Sequence, residues 1–64
     1  HKTVHGCGGM TLIYCGAGEV NVIAGGESVA LRADAAARFD GYAGEIELCS
    51  QSGARLMLAK AEAV

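Results

Sequence analysis

The sequence has no tryptophan, no proline and a single phenylalanine, Phe39, among its 64 residues. Large aromatic anchors therefore contribute little to a core that a chain this short builds only marginally, since it buries roughly 60% of its unfolded surface. Charge is sparse: the five basic residues, Lys2, Arg32, Arg38, Arg55 and Lys60, lie scattered among seven acids for a net charge of −2. Nucleic acid, which is usually met by a basic stripe, is not an expected partner. No apolar run approaches the ~20 residues a membrane-spanning helix needs, so no membrane partner is expected either. No basic-then-apolar leader is seen. Three cysteines, Cys7, Cys15 and Cys49, make an odd number, which argues against a complete disulfide framework and for a reducing cytoplasm. The chain starts at His1 rather than at methionine, and it is expected to be a piece of a longer protein.

What is present is apolar and punctuated. Hydrophobic residues make up 52% of the chain and ten glycines cut it into short pieces, a composition that excludes disorder. Residues 1–9 are expected to form a flexible segment ending in the glycine-rich loop His5-Gly6-Cys7-Gly8-Gly9. Met10 to Cys15 has the β-branched and aromatic content of a strand, and Gly16-Ala17-Gly18 is expected to turn the chain. Glu19 to Ala24 alternates, with Val20, Val22 and Ala24 to one side. Gly25-Gly26 is a hairpin signal, because glycine accepts the positive φ of primed turns.

The return strand Glu27 to Leu31 leads through a bend at Arg32–Asp34 to a short segment, Ala35 to Phe39, and an Asp40-Gly41 turn. Glu45 to Cys49 alternates cleanly with Ile46 and Leu48 inward, and Gln51-Ser52-Gly53 turns again. Ala54 to Ala59 forms a last strand with Leu56 and Leu58 facing in. Residues 31–38 and 54–63 also carry helix propensity, and a helix there is the competing reading. Period-two placement of the leucines favours the strand. The expected fold is all-β, a single lobe of about six short antiparallel strands spanning residues 1–64.

The order of these pieces resembles a cupin. Leu12-Ile13-Tyr14-Cys15-Gly16-Ala17-Gly18-Glu19-Val20 looks like the strand–glycine–strand centre of that fold. The Gly-Gly hairpin, Val29 to Asp34, and Phe39-Asp40-Gly41 resemble the run towards its second motif. Within cupins, His5-Gly6 ahead of Thr11-Leu12-Ile13, and Asp34-Ala35-Ala36-Ala37-Arg38-Phe39-Asp40-Gly41, are similar to the C-terminal lobe of the HutD/Ves family. The resemblance implies a jelly-roll lobe or partial barrel, the second half of a longer bicupin-like protein linked to histidine utilisation. A metal cupin takes His-x-His and a carboxylate from its first motif and a His from its second. By the family's spacing these positions fall on His5-Gly6-Cys7, on Thr11 and on Gly44. One ligand survives, so neither a metal nor another cofactor is expected, and no catalytic residue is assigned.

The remaining chemistry is thin. His5 and Cys7 could meet on one strand face, but no orienting group or oxyanion motif accompanies them. Gly16-Ala17-Gly18 lacks the full fingerprint of a phosphate cradle. Asp34 and Asp40 flank turns, where carboxylates bond nearby amides. The candidate ligand contacts are His5, together with Tyr14, Arg38 and Tyr42, which are chosen by residue type as contacts at a barrel mouth. About six short strands fall short of the roughly eight that close a small barrel. The chain is therefore expected to pair with another lobe or chain. The leading expectation is a non-enzymatic, cupin-like small-molecule binding or regulatory module. The alternatives are a structural or assembly lobe with a vestigial pocket, and a metal-dependent cupin enzyme with a degraded ligand set.

Overall fold

A computed structural model describes residues 1–62. It contains six strands: β1 (Lys2–His5), β2 (Met10–Ala24), β3 (Glu27–Arg32), β4 (Ala35–Asp40), β5 (Glu45–Cys49) and β6 (Ala54–Ala61). All pairings are antiparallel, and no helix occurs among the described residues. In particular, no helix is long and apolar enough to cross a membrane. The all-β architecture of six antiparallel strands agrees with the expectation, and the helical alternative for β4 and β6 does not form.

The sheet branches at β2. Its C-terminal half lies between β3 and β5, with β1 beyond β5, and its N-terminal half lies between β4 and β6. The pairings Met10↔Asp40 and Ala24↔Ile46 place the end of β4 and the start of β5 at opposite ends of the same strand. Straight, β2 would measure roughly 45 Å at about 3.3 Å per residue. Only residues 41–44 join β4 to β5. Four residues reach at most about 18 Å between their flanking neighbours. The strand therefore curls until its ends approach each other, and the inner faces of its halves close on one core.

The curl is placed at residues 16–18. A β-bulge interrupts the register with β6 between Cys15 and Ala17, and Gly18 takes a positive φ of 80°. The buried Cys15 thiol faces the carbonyl oxygens of Ala17 and Gly18 at 3.4 and 3.6 Å, while Asp34 N–H donates to Cys15 C=O at 2.7 Å. This corner also changes parity. Thr11, Ile13 and Cys15 point inward before it, and Val20, Val22 and Ala24 after it. Together with Leu31, Ile46 and Leu48, the buried aliphatics of both halves form a single cluster, against which Val4, Phe39, Tyr42 and Leu56 pack.

Two local expectations are corrected. Gly16-Ala17-Gly18 bends a continuous strand instead of ending it, because glycine accommodates the corner without breaking the flanking pairings. Within residues 1–9, β1 pairs with β5 from Lys2↔Leu48 to His5↔Glu45. The loop after it is also tied down: Gly6 N–H donates to Gly44 C=O at 2.9 Å, Gly8 N–H to Tyr42 C=O at 3.1 Å, and Gly41 N–H to Gly9 C=O at 2.8 Å. Leu58, expected inside, does share the inner face with its partner Ile13 but remains 45% exposed, because β6 is an edge with nothing beyond it to cover that side chain.

Candidate functional site

The four candidate contact residues fall into two groups. His5 and Tyr42 lie where the ends of β2 come together. His5 is the cross-strand partner of Glu45, its Nε2 3.8 Å from Oε1, with both side chains about two-thirds exposed. Tyr42 donates its hydroxyl to Glu45 C=O at 2.8 Å and accepts Gly25 N–H at 3.2 Å, while its ring packs on Phe39 with centroids 5.9 Å apart. These bonds pin the 41–44 connection to the β2–β3 hairpin.

Tyr14 and Arg38 lie elsewhere, on the outer face of the N-terminal half-sheet. Tyr14 is paired with Ala36 and Met57, and Arg38 with Leu12. The Tyr14 hydroxyl donates to Asp34 Oδ1 at 2.5 Å, and this bond to a carboxylate raises the phenol above its ordinary range. Arg38 Nε donates to Asp40 Oδ1 at 3.1 Å on the exposed surface. The four candidates thus lie in two separate places, His5 and Tyr42 near the ends of β2 and Tyr14 and Arg38 on the outer face of its N-terminal half.

The residues that do line concave surface are different ones. Between β3 and the inner face of β4 a groove of about 370 Å³ is lined by Val22, Ala24, Glu27, Ser28, Val29 and Phe39. It is open along the edge, so that Val29 on the inner face is 46% exposed. At the other side of the C-terminal half-sheet, His1, Asn21, Cys49, Ser50 and Gln51 border a cleft of about 300 Å³. There Cys49 Sγ lies 3.4 Å from His1 Nδ1, and Ser50 Oγ donates to Glu19 C=O at 2.6 Å. Sequence reasoning missed both. The only signal for the groove was the inward set Val22, Ala24 and Val29 on strands expected to pair.

The positions that the cupin spacing assigns to metal ligands can be tested directly. His5-Gly6-Cys7 and Gly44 are neighbours through the Gly6–Gly44 bond. The donor set does not fit a metal: Gly44 offers no side chain, and Thr11 offers only a neutral hydroxyl. The His5 imidazole faces Glu45, and the Cys7 thiol faces the Met10 and Ala61 carbonyls at 3.7 and 3.8 Å. Among the described residues no group of three or more His, Cys, Asp or Glu side chains is placed to hold an ion. Thr11 is fully buried, and its Oγ1 has no hydrogen-bond partner.

No protein-family model matches the chain, and no curated protein or solved structure matches it.

Proposed function

We propose that this chain is a non-catalytic, cupin-like lobe that works by association, its sheet being completed by another lobe or chain. The observation that carries the reading is a contrast between its two half-sheets. The C-terminal half turns Glu19, Asn21, Ser28, Arg32, Glu45 and Glu47 outward, the alternation of a sheet with one wet face. The N-terminal half carries large apolar or aromatic side chains on both faces, with the Arg38–Asp40 pair as the charged patch of its outer one. Ile13, Cys15, Phe39 and Leu56 lie inside, while Met10, Leu12, Tyr14 and Met57 lie outside, with Met57 66% exposed. Large apolar side chains left exposed on the outer face of a three-stranded sheet mark a surface suited to association.

Two further observations support the cupin-like part of this reading. One long curled strand pairs with different neighbours along its two halves, and the stretches matched to the two cupin motifs meet at Gly6 and Gly44. The free thiols of Cys7, Cys15 and Cys49 support a cytoplasmic setting. Sedimentation velocity over a concentration series tests association: a mass above that of the single chain is expected, and a folded monomer throughout overturns the assembly reading.

A second reading, small-molecule binding or sensing of the kind linked to histidine utilisation in the HutD/Ves family, is favoured by the groove between β3 and β4. Its walls, Val22, Ala24, Val29 and Phe39, are apolar, and Glu27 and Ser28 supply polar contacts at its rim. A thermal-shift screen with histidine-pathway metabolites tests it, because a ligand that binds only the folded chain raises the melting temperature. A flat response leaves the groove without a ligand of that class.

A further inference from the structure

The sheet has four edges, and they are not equally guarded. Strand β1 is four residues long. Strand β3 carries Glu27 and Arg32 at its ends, and β4 carries the exposed Arg38–Asp40 pair. Shortness and edge charges are the ordinary protections of an unpaired strand. Strand β6 likewise carries Arg55 and Lys60 near its ends, but it is not short, and large exposed side chains lie between those charges. Of these four edge strands it is the longest, at eight residues, and it pairs with β2 alone among the described strands. Its central stretch, Leu56-Met57-Leu58-Ala59, has no charge or proline, and Met57 and Leu58 are 66% and 45% exposed. The free side of such a strand presents a row of backbone N–H and C=O groups whose natural complement is another strand.

We propose that β6 is a homodimer edge, pairing antiparallel with β6 of a second copy about a two-fold axis at Met57, so that the two N-terminal half-sheets become one continuous sheet. This proposal rests on the assembly reading above and names its partner and contact.

The register follows from the faces. A two-fold axis normal to the sheet keeps inner faces on one side, so an inner residue must meet an inner residue of the copy. Leu56, Leu58 and Lys60 are inner, opposite Cys15, Ile13 and Thr11, while Met57 and Ala59 are outer, opposite Tyr14 and Leu12. An axis at Leu58 sets Leu56 against Lys60 of the second copy. An axis at Leu56 sets Met57 against Arg55 and Leu58 against Ala54. An axis at Met57 brings Leu56 against Leu58 of the second copy, twice, and Met57 against Met57. Arg55 then meets Ala59 and Lys60 meets Ala54, so no like charges oppose each other. The central axis alone pairs each of Leu56, Met57 and Leu58 with one of the same three residues of the second copy.

Cross-linking reads this register directly. Opposed residues in an antiparallel pair have Cα atoms about 4.5–5.5 Å apart, within disulfide reach. In a Cys7→Ser, Cys49→Ser background, Met57→Cys is expected to give a covalent dimer under mild oxidation, whereas Ala59→Cys, which faces Arg55, gives none. Met57→Lys, which sets two ammonium groups face to face across the axis, is expected to shift the sedimenting species to the monomer while leaving the circular dichroism spectrum unchanged, since Met57 is exposed in the single chain. A Met57→Lys dimer as tight as the parent, or equal cross-linking at both positions, overturns the β6 edge while leaving association by another surface standing. A parent chain that sediments as a monomer overturns this proposal together with the assembly reading.

Discussion

The Tyr42 hydroxyl bridges Gly25 and Glu45, accepting the amide hydrogen of the first and donating to the carbonyl of the second. One phenol thereby ties the tip of the β2–β3 hairpin to the entry of β5, at the place where the curled strand brings its ends together. Tyr42→Phe keeps the ring contact with Phe39 and removes both bonds. It is expected to lower the unfolding free energy by about 1–2 kcal/mol, from two partly exposed hydrogen bonds at ~0.5–1.5 each. Urea denaturation at constant m-value measures this, and an unchanged midpoint would show the bridge to be energetically idle.

Glycines at the corner and the turns are expected to differ in tolerance. At Gly18 the positive φ coincides with a site where an added Cβ would run into the Gly53 carbonyl. At Gly26 the φ is 81°, with open space around it. Gly18→Ala is expected to cost more than Gly26→Ala, whose penalty stays near the ~1–2 kcal/mol of a left-handed alanine. Paired thermal melts rank the two; equal losses would count against the corner as a close-packed hinge.

Thr11 holds a hydroxyl that is fully buried and unpartnered. Thr11→Val replaces it with a methyl group of similar shape and removes the desolvation cost of the orphaned oxygen. A stability gain of about 1 kcal/mol is expected. A loss on denaturation would mean that the hydroxyl has a partner in solution.

The phenol of Tyr14 is raised above its ordinary value near 10 by donating to Asp34 and by the nearby carboxylate charge. Its contribution to stability is present in full below that ordinary value and is lost as the pH rises through the raised folded one. An ultraviolet titration is expected to resolve Tyr14 as the late-titrating phenol, and Asp34→Asn to bring it down. A titration unmoved by that substitution would separate the shift from the hydrogen bond.

Much of this fold was legible in local pattern. The alternations at Val20-Val22-Ala24 and Ile46-Leu48 point inward as their period demands, and Gly25-Gly26 makes its hairpin. What escaped is what depends on distant partners. Nothing within Gly16-Ala17-Gly18 says whether the chain reverses or bends; β4 and β6, pairing on both sides of residues 10–15, decide that it bends. Lys2 to His5 is too short to announce a strand without β5 beside it. The candidate site was the least legible part. Tyr14 and Arg38 were grouped with His5 and Tyr42 by chemistry alone, while the groove wall of Val22, Val29 and Phe39 exists only once the two halves face each other.

Because β2 is the spine of both halves, neither can detach and leave the other intact. Peeling β4 and β6 away exposes Ile13 and Cys15, and with them one wall of the cluster that Val22 and Ile46 need. Loosening at one end must therefore be felt at the other, and slow amide exchange along β2 should report a single opening event from Leu12 to Ile23, with no step at the corner.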